Sequence, residues 1–287
     1  MFLWLTLVAL LLGLLLLSKL FAFLRQVGCL RQNYRGEEVI FGSGLLFVLV
    51  IGGSLALAVV IPAFRDQLLT STNIVFPLLL LVSAATLFGF LDDLLGDGSA
   101  KGFVGHFSRL FQGKLTTGAL KALGCAAAAT LAVAPFSPTV PALLLSALLV
   151  ALSINIFNLL DLRPGRSLKV YLVVAVLLLA FGGQNELRSY WGLLLAPALI
   201  LLPSDLKERA MLGDAGANVL GAIIGFGLVL SLDWSYELAL LVLLVALNLF
   251  GDRKSLSKVI SDSPVLSRID GLGRNERGEL PGEGRTR

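Results

Sequence analysis

A chain of 287 residues with 56% apolar side chains, a mean hydropathy of +0.88 and only 15% charged residues lies far from the balance of a water-soluble domain. Its apolar runs of about 16 to 22 residues have the length of membrane helices and lack the short alternation of a closed β-barrel. The net charge of +4 comes from basic residues scattered through short loops beside apolar segments, a pattern that disfavours nucleic acid and suits anionic headgroups or phosphorylated substrates.

The expected fold is all-α and polytopic, with about nine membrane helices. In chain order they are Phe2 to Phe23, Gly44 to Ile61, Ile74 to Leu91, Thr117 to Ala134, Pro141 to Leu159, Leu168 to Phe181, Tyr190 to Leu202, Leu212 to Leu232 and Leu238 to Phe250. The first lacks a basic start or a small-residue cleavage site before Arg25 and reads as a retained helix rather than a signal peptide. With these crossings, and counting Lys19 and Lys121 near helix ends, all but Arg65 and Arg188 of the 23 Lys and Arg residues fall on one side. Cytoplasmic loops are enriched in Lys and Arg, so that side is expected to be cytoplasmic, with the N-terminus outside and the C-terminus inside.

Residues 1–250 are therefore expected to form a single transmembrane domain, and 251–287 a basic cytoplasmic tail, disordered from Arg274 onward. Leu256, Val259, Ile260, Leu266 and Ile269 give that tail enough apolar surface to rest on the membrane interface. Cys29 and Cys125 have no metal or redox spacing and read as small apolar fillers.

Chemistry-bearing residues gather at the cytoplasmic ends of helices: Asp92 and Asp93 with Asp97 nearby, Asp161, and Asp214 in Gly-Asp-Ala-Gly. A carboxylate at the membrane boundary needs a cation, a donor or water, so several converging from separate helices point to a shared ligand. A hard divalent cation such as Mg²⁺ prefers such oxygens and bridges to phosphate. The alternative for each Asp is a helix cap or a water-facing position.

The segment after Asp93 carries glycines together with Lys101, Lys114 and Lys121, offering close backbone approach and positive charge for phosphate. Asn155, Asn158 and Asp161 share one helical face and need hydrogen-bonding partners, either a ligand or another helix. His106 is the only histidine, which argues against zinc or a histidine triad. A surface position, an interface anchor or a phosphate contact all remain open for it. A secondary transporter would need polar groups near the bilayer midplane, whereas here the charges sit at the ends.

Five stretches together resemble the polyprenyl-phosphate sugar-1-phosphate transferases, the family of the phospho-N-acetylmuramoyl-pentapeptide and N-acetylglucosamine-1-phosphate transferases of cell-wall synthesis. They are Asn33-Tyr34-Arg35-Gly36, Gly89-Phe90-Leu91-Asp92-Asp93, the Lys101 to Lys121 stretch, Asn155-x-x-Asn158-Leu159-x-Asp161, and Met211-Leu212-Gly213-Asp214-Ala215-Gly216. Members use Mg²⁺ to move a sugar-1-phosphate from a UDP-sugar onto polyprenyl (undecaprenyl) phosphate, releasing UMP. The resemblance implies a bacterial plasma-membrane enzyme of cell-wall, peptidoglycan or surface-glycan synthesis, and a homodimer is compatible with it.

By the same resemblance Asp92, Asp93 and Asp214 are catalytic, Asp92 as a base near the lipid phosphate and Asp93 and Asp214 as metal ligands. Asn158 and Asp161 are then beside the nucleotide and Arg35, Lys101 and Lys121 offset phosphate charge, with His106, Asn155, Arg163 and Arg166 as further candidate substrate-binding residues. Two departures accompany it. Asp161 runs into Leu162-Arg163-Pro164-Gly165-Arg166, without the second aspartate of the usual Asp-Gly-x-Asp-Gly, and the chain lacks the histidine-rich loop and tenth helix of many members. These departures motivate an alternative, a catalytically altered relative that binds lipid-linked phosphate and regulates or scaffolds envelope assembly.

Overall fold

All nine apolar segments are helical in the computed structural model, which describes residues 2–96, 115–182 and 186–274. The first is α1, Phe2–Gln26. It is followed by an antiparallel hairpin of β1, Leu30–Gln32, and β2, Glu38–Ile40, in which Arg31 lies opposite Val39. Then come α2 (Leu45–Val60), α3 (Pro62–Thr70), α4 (Thr72–Leu95), α5 (Thr117–Val133), α6 (Val140–Leu160) and α7 (Arg166–Phe181). The chain continues through α8 (Trp191–Leu206), α9 (Gly213–Ser231), α10 (Trp234–Arg253), α11 (Leu256–Asp262) and α12 (Pro264–Gly271).

Among the described residues, seven helices are long and apolar enough to cross a bilayer: α1, α4, α5, α6, α8, α9 and α10. The helices α2 and α7 have 16 residues each, about 24 Å of rise, which is shorter than a hydrocarbon core of about 30 Å. At Ile61 the chain turns by 111° from α2 into α3. The cause is Pro62, whose ring pushes the preceding residue out of the helical region, so Ile61 is extended (φ −92°, ψ 113°) and Pro62 opens the next helix.

The surface of the bundle is apolar. On α1, Leu3, Leu7, Leu11, Leu14 and Leu15 are exposed, as are Val173, Val176, Leu177 and Phe181 on α7 and Val242, Leu243 and Leu249 on α10. Helices apolar on their outward faces around a packed interior belong in lipid, and the protein is an all-α polytopic membrane protein.

The helix α9 lies at the centre, buried on nearly every side by α4, α6 and α7. Its small residues allow this. A side chain at Gly221 would run into the Ile154 backbone of α6, and one at Gly225 would stand 2.8 Å from Val150 Cα. Without a hydrophobic drive between helices in lipid, such backbone proximity is what packs them.

Several helices outrun the hydropathy signal. The helix α4 continues to Leu95 and α8 to Leu206, because a polar residue ends an apolar run without ending the backbone ladder. Asp92, Asp93 and Asp205 therefore sit in last helical turns. The hairpin was not expected, and the described part of the tail forms α11 and α12. Arg274, expected to begin a disordered end, donates from Nε to the Pro164 carbonyl at 2.8 Å.

Replacing Gly221 by Val should overpack the α6–α9 seam and cost about 1–3 kcal/mol. Thermal unfolding of the detergent-solubilised protein reads this as a clear drop in melting temperature, and an unchanged melt would mean that the seam is not tight.

Candidate functional site

The site begins with a strand-like approach. After α8, Ala210 pairs in parallel with Ile40 of β2, and the Met211 N–H donates to the Ile40 carbonyl at 2.7 Å. Ser43 donates to the Met211 carbonyl through its backbone N–H (3.3 Å) and its Oγ (2.8 Å), and the Gly44 N–H donates to the Leu212 carbonyl at 3.1 Å. The hairpin after α1 thus carries the Gly-Asp-Ala-Gly segment into position. Gly213 then takes the left-handed conformation (φ +73°), and a Cβ there would lie 2.6 Å from Asp93 Oδ2, so glycine is required twice over.

The first backbone N–H groups of a helix have no partner within it. Those of α9 are satisfied by a carboxylate from another helix: the Asp214 N–H donates to Asp93 Oδ1 at 3.0 Å and the Ala215 N–H to Asp93 Oδ2 at 3.1 Å. The negative charge also complements the positive end of the helix dipole. Gly89, one turn earlier on α4, leaves room for the Asp214 carbonyl.

Lys121, in the second turn of α5, bridges Asp92 Oδ2 at 2.6 Å and Asp214 Oδ2 at 2.5 Å. Asp92, Asp93, Lys121 and Asp214 therefore meet where α4, α5 and α9 converge. Asp93 is buried and the other three half-buried, so removing one member leaves charge on the others without its partner.

Beside this cluster opens a cavity of about 240 Å³, walled by Asp93, Asp161, Asp205 and Asp214 on the acidic side and by Arg31, Tyr34 and Arg163 at the rim. Asp161, the C-terminal cap of α6, is held well above the usual carboxylate range by burial and by the charges of Asp205, Asp214 and Asp93. Asp205 accepts from the Gly165 N–H at 2.5 Å and ties the loop after α6 to the end of α8. Arg31 donates to the Asp93 carbonyl at 2.5 Å and lies over the Phe41 ring.

The Asn33-Tyr34-Arg35-Gly36 turn forms the opposite lip. Asn33 Oδ1 accepts from the Arg35 and Glu37 N–H groups, both at 2.9 Å, while its Nδ2 reaches Glu208 at 2.9 Å. Arg35 pairs with Glu208 at 3.3 Å, and Arg163 stacks on the Tyr34 ring at 4.3 Å.

The other expected site residues have different surroundings. Asn155 takes the helix-to-helix alternative, donating to Asn248 Oδ1 of α10 at 2.5 Å. Asn158 keeps a buried Oδ1 without a hydrogen-bond partner. Arg166, implied to bind substrate, is not in the cavity wall: it grips Asp270 of α12 through two 2.8 Å hydrogen bonds and Ser257 through a third at 3.0 Å. Lys101 and His106 lie outside the described residues, as do Asp97 and Lys114. Both cysteines are buried and unpaired.

Sequence reasoning passed over Asp205, Arg31, Tyr34 and Glu208. Asp205 was within reach, because a carboxylate closing an apolar helix is the signal that identified Asp161. The other three belong to a hairpin lip and its partner, which exist only once distant segments pair.

The donor set suits a hard cation. Five carboxylates, those of Asp93, Asp161, Asp205, Glu208 and Asp214, line one cavity and repel one another, and Mg²⁺ is held by one or two carboxylates plus phosphate oxygens and water. Among the described residues no three acidic, His or Cys side chains form a ready cage. Asp93 already spends both oxygens on α9, and Asp214 one on Lys121. The fit is to a cation that arrives with its phosphate ligand, with Asp161 and Asp214 as the side chains at hand.

A scan against protein-family models and a search of curated proteins each gave no match.

Replacing Asp93 by Ala should uncap α9 and cost about 0.5–2 kcal/mol or more, given its burial. Asp93→Asn, which keeps an acceptor, should lose less, and equal melting temperatures for the two variants would remove the capping role.

For Asp270, burial raises the carboxyl, but hydrogen bonds and charge from Arg166, then Arg274, outweigh it and hold the group below its ordinary 3.8. A depressed folded value gives stability that is full above the unfolded value and lost as pH falls through the folded one. The difference in denaturation midpoint between wild type and Asp270→Asn should therefore stay constant from neutral pH down to about 4 and shrink on further acidification. A difference that grows on acidification would contradict the clamp.

Proposed function

We propose that the protein transfers a sugar-1-phosphate from a UDP-sugar to a polyprenyl phosphate with release of UMP, at the cytoplasmic face of a bacterial plasma membrane crossed nine times. The observation that carries this reading is the meeting of Asp92, Asp93, Lys121 and Asp214 at three helix ends beside an acid-walled, Arg-rimmed cavity. The resemblance in the five motifs and the one-sided distribution of Lys and Arg support it.

In the transfer, an oxygen of the lipid phosphate forms a bond to the sugar-bearing phosphorus of the diphosphate. The bond from that phosphorus to the bridging oxygen breaks, and the oxygen leaves with UMP. Mg²⁺, when bound, neutralises the diphosphate oxygens and polarises the phosphorus they surround. Asp161 and Asp214 would hold it, and Asp93 keeps Asp214 in place by closing the helix beneath it.

Lys121 pairs with Asp92 and orients it. A lipid phosphate is already largely ionised at neutral pH, so the main contribution of Asp92 is to hold Lys121 where the acceptor phosphate approaches, with proton removal needed only for the monoanion. Arg31 and Arg163 offer fixed positive charge on the nucleotide side of the cavity, with Arg35 held behind them by Glu208.

Incubating purified protein with Mg²⁺, undecaprenyl phosphate and a panel of UDP-sugars should release UMP with at least one of them. Asp214→Asn should lower turnover by at least about a hundredfold with the protein still folded in the membrane. Absence of UMP with every donor would refute the transferase reading.

A second reading rests on the missing second aspartate after Asp161 and on the commitment of Arg166 to the tail. A relative altered in this way would bind lipid-linked phosphate and regulate or scaffold envelope assembly, giving binding without UMP, and steady turnover would exclude it.

A further inference from the structure

The tail has two faces, and the proposed chemistry uses neither. One is locked to the bundle: Asp270 sits between Arg166 and Arg274, the latter at 2.9 Å, and Lys169 Nζ donates to the Asp270 carbonyl at 2.6 Å and to those of Ile269 and Leu272 at 3.2 Å. A lysine serving the last carbonyls of α12 closes its C-terminus. The other face carries Val265, Leu266, Ile269 and Leu272, all exposed. Val265, Ile269 and Leu272 are spaced four and three apart, which aligns them on one stripe of the helix.

We propose that this stripe docks on the anionic headgroup layer of the same bilayer that the bundle crosses. Position is the first argument. The membrane helix α10 ends at Arg253 and α11 starts at Leu256, with Ser255 capping it, so the tail starts at the membrane boundary and has no linker to carry it away. The clamp residues Arg166 and Lys169 belong to the first turn of α7, whose Val173, Val176, Leu177 and Phe181 face lipid. The tail therefore lies at the end of α7, one turn from its lipid-facing surface.

Charge is the second argument. Arg268 is exposed on the helix of the stripe, and Arg253, Lys254 and Lys258 are exposed on the segment leading into it, outnumbering the exposed Asp252 and Asp262; Lys254 reaches back over the Phe250 ring. A basic fringe around an apolar helix face is complementary to anionic lipid and to little else at this depth. A membrane-bound tail would also hold the loop from Asp161 to Arg166, through Arg166 and the Arg274 bond to Pro164, against the lip of the cavity.

The test uses the full chain with a spin label at Ile269→Cys, compared with one at exposed Ser261→Cys. Cys29 and Cys125 are buried, and the unsubstituted protein measures their background. In vesicles of phosphatidylglycerol and phosphatidylcholine, the Ile269 label should be relaxed by oxygen over a water-soluble nickel chelate several-fold more than the Ser261 label. In vesicles of phosphatidylcholine alone its ratio should fall toward the Ser261 value. Equal ratios at the two sites overturn the docking, as does dipolar broadening between Ile269 labels, which would reveal a second copy on the stripe. An unchanged ratio in neutral vesicles overturns the role of headgroup charge. None of these readouts depends on UMP release.

Discussion

Closing the N-terminus of one buried helix with a carboxylate from another is the constraint from which the rest of the site follows. The unpaired N–H groups of α9 lie where water is scarce, and an apolar neighbour would leave them unsatisfied at a cost of kilocalories each. Asp93 meets that need, and in doing so fixes the separation and rotation of α4 and α9. Once those are fixed, Asp92 and Asp214 face one another, and two anions at that separation require a cation. Lys121 supplies it and brings α5 into the same arrangement.

The glycines are the geometric counterpart of these charges. Gly213 turns left-handed so that the chain can enter α9 beneath Asp93, and the Gly44 and Gly216 backbones are in contact. A Cβ at these points would separate the helices and lengthen the hydrogen bonds that hold the carboxylates. The hairpin then anchors the approach through Ile40, Ser43 and Met211, so a site at the membrane surface is held by backbone pairing as well as by side chains.

Hydropathy made the helices legible, because lipid demands long apolar runs with an internally satisfied backbone. It misread their ends, since α4 and α8 carry carboxylates inside the last turn, and a scale that penalises charge stops short of them. The convergence of Asp92, Asp93 and Asp214 was legible from their common membrane side. Lys121 as their bridge was not, because a basic residue near a helix end reads equally well as a topology signal. The hairpin was invisible for a different reason: two strands of three residues have too little period to detect, and their partner at Ala210 is far along the chain. Asn155 shows the limit of face-sharing arguments, since its place three residues from Asn158 is compatible with a ligand or with Asn248, and only the packing of α10 on α6 decides.

The two arginines of the loop after Asp161 have separated fates. Arg163 stays at the cavity and stacks on Tyr34, where a guanidinium remains available to an anion, whereas Arg166 is buried and saturated by Asp270 and Ser257. Arg166 of this loop is therefore matched by an acidic residue of the tail, Asp270. The loop is held from two sides, by Asp205 at Gly165 from within the bundle and by Arg274 at Pro164 from the tail. The lip of the cavity thus depends on the last described residues of the chain, and a change in what α12 rests on would be felt first at Arg163.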